Sequence, residues 1–241
     1  MSTEKRKLKE RQAREQLFLD AAREIIRGQG LLGLQMARVA SACDYATGTL
    51  YQHFRSREDL LVALATQRTR EHSRLFQKAA EWSTGTRDRM FALAVIDRDF
   101  CHRHPGHTRL VQYVFTEVVW SSASQERRQD LLEACQPCIE ALGQIVDDAT
   151  GSGDLDTAST PGLDLAVGPW ALCHGMQSLE RIEGLQDSAG IRINDDLLYL
   201  HVDSLLNGIG WQPLTDLTDR DNRADRVRRV QEQLIQTSTE P

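Results

Sequence analysis

Apolar residues recur at helical spacing along almost the whole chain. Leu17, Phe18, Ala21, Ala22, Ile25 and Ile26 return every three to four positions between Glu10 and Arg27, which predicts an amphipathic helix stopped by Gly28 and Gly30. Met36, Val39 and Ala40 mark a second, short helix from about Gln35 to Cys43, and a third begins near Ala46. Ser56 stands where it can cap a fourth helix, with Asp59 in the place of a capping-box carboxylate. Leu60, Leu61, Leu64, Leu75 and Phe76 carry that fourth helix to about Trp82. The pattern then predicts helices over 86–103, 108–121, 124–149, 163–184 and 194–210. Loops fall at Gly151 to Asp154 and Thr160 to Gly162, and no stretch alternates as a strand would. The expected fold is all-α.

Two short helices separated by about three residues, the second opening on small and polar side chains, form a helix-turn-helix pattern. The second helix of that pair, from Ala46, is then the one that enters a major groove. Residues 2 to 11 are polar and basic with no apolar stripe, and are expected to form a flexible arm. The expected organisation is an arm and helix-turn-helix head over 1–57, a helical regulatory, ligand-binding and dimerisation domain over 58–212, and a charged tail over 213–241. Val227, Val230 and Leu234 allow one short helix in the tail.

Charge supports the division. The net charge of −6 hides a basic end on an acidic body. Through Arg57 there are eleven Lys and Arg against six acids, a net +5, and the remainder carries −11. Such an asymmetry favours a polyanion-binding head and one docking orientation. Hydrophobic residues at 40% and charged residues at 27% are ordinary for a globular chain. Neither an apolar leader nor a membrane span is visible, so a cytoplasmic location is expected, with the five scattered cysteines reduced.

The stretch from Phe18 to Leu64 carries a specific ordered set. It comprises Ala21-Ala22, Gly30, Val39-Ala40, Thr47-Gly48-Thr49-Leu50-Tyr51 with His53-Phe54, and Ser56-Arg57-Glu58-Asp59-Leu60-Leu61. In these residues the segment resembles the DNA-binding domain of TetR/AcrR-type transcriptional regulators. The resemblance implies that Ala46 to Phe54 is the recognition helix, with Gly48 at a point of close approach to DNA. It also implies that Tyr51, His53 and Arg57 touch phosphate, while Leu50 and Phe54 anchor the helix. Thr47 and Thr49 can meet base edges or thymine methyls. Gln52, Arg38, Tyr45 and Ala46 complete the expected DNA-binding set. The chain departs from the family at Cys43-Asp44-Tyr45-Ala46, where Ala-Gly-Val-Ser is usual, and at Gln35, where Thr is usual. Asp44 must then tolerate a left-handed backbone, Ala46 offers no capping hydroxyl, and Tyr45 either reads DNA or packs.

The resemblance further implies a double-stranded operator, a small-molecule inducer and a homodimer, with no membrane partner. Phe91, Phe100, Val111, Phe115 and Trp120 are candidate pocket residues. Trp170-x-x-x-His174-Gly175 with Leu179 resembles the penultimate helix of a dimer interface, and Leu198, Val202, Leu205 and Leu206 of the last apolar helix are its expected partners. Cys101, His102, His104 and His107 lie within seven residues, but ligand pairs so close together fit a structural zinc site poorly. No metal or cofactor is expected. Cys135-Gln136-Pro137-Cys138 has redox spacing but lies within a helical pattern. Two other readings stay open. One is a helical sensor acting through a protein partner, its DNA head degenerate. The other is a small all-α enzyme, for which no nucleophile, base and orienting acid stand at a meaningful spacing.

Overall fold

Twelve α-helices account for most of the 3–158 and 160–236 stretches described by the computed structural model, and no strand occurs among these residues. Residue 2 of the expected arm and residues 237–241 of the expected tail lie outside them. The first helix, α1, spans Thr3–Gln29. The basic stretch expected as a flexible arm is therefore the first turns of a helix, because Lys, Arg, Glu and Gln have good helix propensity and the amphipathic helix behind them supplies the nucleus. Gly30 ends it with φ 72°, a backbone that glycine adopts without a Cβ clash.

A 3-10 turn, Leu31–Gly33, leads to α2 (Met36–Ala42), α3 (Thr47–Tyr51) and α4 (Arg57–Ala80). Ser56 caps α4 as expected, while Asp59 reaches back one residue beyond the N-cap that a capping box would engage. Ser56 Oγ accepts from Asp59 N at 3.1 Å, and Asp59 Oδ2 accepts from Arg55 N at 3.0 Å. The remaining helices are α5 (Thr86–Arg103), α6 (Pro105–Val114), α7 (Glu117–Ser122), α8 (Gln125–Ser152), α9 (Gly162–Glu180), α10 (Leu185–Ala189), α11 (Asp195–Gly208) and α12 (Arg220–Val230), the last followed by a short π-helix over Gln231–Ile235. The helix expected over 108–121 is thus two, broken at Phe115 and Thr116. The side chain of Thr116 donates to Tyr113 O at 2.7 Å and closes the turn.

The chain forms two compact units, and neither is contiguous. The first unit takes residues 1–70 and 104–135, the second residues 71–103 and 136–241. An expected boundary near residue 57 differs from this partition because α6, α7 and the start of α8 share the head's core: Leu110, Val114, Val119, Ala123 and Leu131 pack in one cluster with Phe18, Leu50, Phe54 and Leu61. The second unit is built on α5, whose Phe91, Val95 and Ile96 are fully buried among residues of α8, α9 and α11. The helices α4 and α8 run through both units.

Within the expected charged tail, residues 220–235 are helical and pack on the second core. Val230, Leu234 and Ile235 are buried in it. Arg226, despite its charge, is also buried: its guanidinium holds Asp203 at 2.9 Å and Asp88 at 2.9 Å and lies 3.9 Å over the Phe91 ring. Arg87 completes the group, donating to Trp211 O at 2.6 Å and to Asp203 O at 3.1 Å. Apolar positions in the tail were too sparse to reveal this docking, since its anchor is the pairing of charges distant in sequence.

Candidate nucleic-acid interface

The turn between α2 and α3 keeps its shape without the usual glycine. Asp44 takes φ 58°, a left-handed conformation that its short polar side chain tolerates. Tyr45 N then donates back to Ala40 O at 3.0 Å, closing the loop onto α2. Ala46 and Gln35 occupy the N-cap positions of α3 and α2 in extended conformation, and neither side chain caps its helix. The hydroxyls lost at these two positions are not replaced.

Along α3 the residues divide by face. Leu50 and, just beyond the helix, Phe54 are fully buried, so the helix is held by two apolar pegs. Gly48 faces open space, with nothing within 4 Å of where a Cβ would stand. Ala46, Gly48, Tyr51 and Gln52 are exposed, and Thr47 and Thr49 partly so. Tyr51 is 50% exposed. Hydroxyls, an amide and a bare backbone are therefore presented around the open surface of a short helix, as close approach to a groove needs.

Three expected contacts sit differently. His53 turns inward, 8% exposed, its ring edge-on to Phe18 at 5.4 Å and its Nδ1 3.7 Å from Glu15. Burial pushes its pKa below the ordinary histidine value against the opposing pull of Glu15, so it is a neutral packing residue in this geometry and not a surface donor. Arg57 is committed to backbone: Nε donates to Leu34 O at 3.0 Å and Nη2 to Leu31 O at 2.7 Å. Tyr45 packs edge-on against Phe18 at 5.4 Å. Arg38 is exposed and donates to Gln29.

One residue that sequence reasoning missed joins the same end of the helix. Arg127, from the first turn of α8, donates to Glu15 at 2.8 Å and to His53 O at 3.2 Å, and lies 5.0 Å over the Phe54 ring. Nearby, Asp59 Oδ1 accepts from Ser124 N at 2.7 Å. The start of α8 thus holds both the end of α3 and the start of α4. Nothing local in the sequence around Arg127 signals this, because the partners lie 112 and 74 residues away.

The other expected sites are only partly assembled. Phe91 and Phe100 are buried in the second unit, whereas Val111, Phe115 and Trp120 belong to the first, where the Phe115 ring lies tilted against Trp120 at 5.2 Å. The five do not line one cavity within either unit. Of the expected dimer residues, Leu198, Val202 and Leu206 face inward and are fully buried, being spaced at four-residue steps on the core side of α11. Leu205 packs on the bare backbone of Gly168, where a Cβ would stand 3.1 Å from Leu205 Cδ2. Trp170, Gly175 and Leu179 are exposed, with the His174 ring edge-on to Trp170 at 5.6 Å. Cys101 is buried, His102 faces Asp195 at 3.7 Å, and Arg68 donates to His104 at 2.9 Å. Among the described residues no group of three His, Cys, Asp or Glu stands close enough to hold a metal. The Cys135 thiol is pushed up by burial, which disfavours the reactive thiolate.

Comparison with known proteins agrees with the geometry. Residues 18–64 match the family described as bacterial regulatory proteins, tetR family, and residues 90–205 match the tetracyclin repressor-like C-terminal domain. A fatty acid metabolism regulator protein of Bacillus subtilis (strain 168) is 21% identical over 148 residues, 61% of this chain and 74% of the relative. A TetR/AcrR-family regulator from Thermobifida fusca YX-ER1 superposes with a TM-score of 0.60 at 18% identity, over 81% of this chain and 98% of that one. FadR from Bacillus subtilis, solved in complex with stearoyl-CoA, gives a TM-score of 0.57 at 15% identity, over 81% and 97%. With both family matches in order and together covering about two thirds of the sequence, the chain belongs to the TetR family of DNA-binding transcriptional regulators.

Proposed function

We propose that the protein is a repressor that binds a near-palindromic operator as a homodimer and releases it when a small molecule occupies its second unit. The observation that carries the DNA reading is the face of α3, where Thr47, Gly48, Thr49, Tyr51 and Gln52 are presented while Leu50 and Phe54 fix the helix. Phosphate contacts orient the head, and Thr47 and Thr49 read the sequence. A two-fold dimer places two such helices about one helical turn, roughly 34–36 Å, apart.

The dimer reading is supported by α9. Leu163, Val167 and Trp170 form an exposed apolar row with His174 at i, i+4, i+7 and i+11. A row of this kind on a helix already packed by its other face fits a second copy of the same surface. The ligand reading is supported by polar groups set in the second core: Gln177 Nε2 donates to Asp97 Oδ2 at 2.6 Å, and His72, stacked on Phe100 at 4.4 Å, stands 3.4 Å from Asp97 Oδ1. A ligand that binds one arrangement of this unit better than another shifts the population, and α4 and α8, which run through both units, carry the change to the head. A cytoplasmic location goes with this reading, since the operator is there. Among the described residues no helix is long and apolar enough to cross a membrane.

Selection from a random-sequence duplex pool supplies the operator for the test. In T47A/T49A, discrimination between the selected duplex and mixed-sequence DNA should fall about tenfold or more, since a good base contact is worth about 1–3 kcal/mol, with the salt dependence unchanged. Undiminished discrimination in that variant would remove these threonines from base reading. Absence of any enriched sequence, together with binding insensitive to salt, would overturn the DNA-binding reading.

A further inference from the structure

The basic first turns of α1 lie outside the stretch that matches the family, and they end beside the recognition helix. Lys7, Arg11, Arg14 and Phe18 fall at i, i+4, i+7 and i+11, so one face of α1 carries all four. Phe18 is fully buried in the head's core, and this fixes the rotation of the helix and therefore the direction of the three cations. Arg14 is held 5.5 Å over the Tyr45 ring, in the turn before α3. Lys7, Glu10, Arg11 and Arg14 line a notch of about 410 Å³ whose opposite wall is Gln52 and His53 at the end of α3.

Of the neighbouring acids, Glu15 is engaged elsewhere, and Glu10, which lines the notch, also pairs with a cation outside it. Glu15 holds Arg127 at 2.8 Å and faces His53, and Glu10 pairs with Arg6 at 3.4 Å. Lys7, Arg11 and Arg14 form no ion pair among the described residues. Three converging cations with an exposed amide opposite are the chemistry of a phosphodiester site. The site also shares Gln52 with the recognition helix, which ties it to the same nucleic acid. We propose that Lys7, Arg11, Arg14 and Gln52 form a second DNA-contact site that seats backbone phosphates flanking the groove entered by α3. The proposal rests on the DNA-binding reading above and adds to it a clamp that is blind to sequence, made from a helical extension of the head.

The test uses the full chain, a 40-base-pair mixed-sequence duplex and the selected operator duplex, with affinity followed by fluorescence anisotropy across a potassium chloride series. In K7Q/R11Q/R14Q the slope of log affinity against log salt should become shallower by about 3, near 0.9 per phosphate released. Both duplexes should lose affinity by the same factor, so that discrimination is retained. The conservative R11K/R14K should keep the wild-type slope. E10Q, which removes the negative charge lining the notch, should tighten both duplexes. Wild-type slope and affinity in the triple variant, its helix content and melting temperature intact, would overturn the clamp alone. Stoichiometric micromolar binding of inorganic phosphate to the free protein, lost in the triple variant while its DNA slope stays wild-type, would also overturn it in favour of a free-anion site. A wild-type protein that binds neither duplex with a negative salt slope would overturn the helix-turn-helix reading and the clamp together.

Discussion

Arg57 shows how a side chain expected at the DNA also holds the head together. Its Nε and Nη2 donate to the carbonyls of Leu34 and Leu31, and its Nη1 stands 3.6 Å from Glu58, so it ties the start of α4 to the turn after α1. Arg57→Ala should destabilise the protein by about 1.5–3 kcal/mol, the worth of hydrogen bonds from a charged donor, measured by urea unfolding. Arg55→Ala, at a largely exposed side chain, should change stability little. His72 is expected to contribute pH dependence to the second unit. Burial holds it below the ordinary histidine value, against the pull of Asp97 on α5 and its neighbour Glu71 and with the help of His174 on α9. The folded protein therefore favours neutral His72, while the unfolded chain takes up the proton below about pH 6.5. Stability is full above that value and falls as pH drops through it. The melting-temperature loss between pH 7.5 and 5.5 should shrink in His72→Gln, and an equal loss would assign the acid sensitivity to other groups.

Among the elements, α12 and α3 show opposite kinds of legibility. The role of α3 follows from local order, because a small-residue start, two apolar pegs and a fresh cap are all contained within fifteen residues. Docking of α12 depends on Asp203, which is fully buried between Arg87 and Arg226. Two buried cations sharing one carboxylate make that carboxylate hard to replace. Asp203→Ala should cost about 3–5 kcal/mol in chemical denaturation, because it leaves both guanidinium groups buried without their shared counter-charge. A loss below about 1 kcal/mol would show that α12 is held without Asp203, by its apolar residues and its pairs with Asp88 and Asp196. The four-residue steps of Leu198, Val202 and Leu206 were readable as an apolar face of α11. Whether that face meets the chain's own core or another molecule was not readable, because the answer lies in α5 and α8, some 50 to 100 residues earlier.

For the whole molecule, the proposed dimer joins the charge asymmetry to the exposed row on α9: the basic head would meet the polyanion and the apolar row of the acidic remainder would meet a second copy. Trp170 is 58% exposed and central in that row. Trp170→Glu should convert a dimer to a monomer in sedimentation velocity and weaken operator binding, because two linked half-sites raise the effective concentration of each head. A variant that stays dimeric would move the interface away from α9.

By itself the sequence determined the all-α class, the helix-turn-helix head, the left-handed turn at Asp44 and the family. Each of these is written in spacing within a few turns of chain, where backbone geometry and burial act locally. The tertiary structure decided the membership of the two units, the inward turn of His53, the commitment of Arg57, the role of Arg127 and the packing of α12. It also turned a supposed loose arm into a helix whose cations face the end of α3. These depend on which side chains meet across long sequence separations, and hydrophobic periodicity specifies that a face is buried without specifying what covers it.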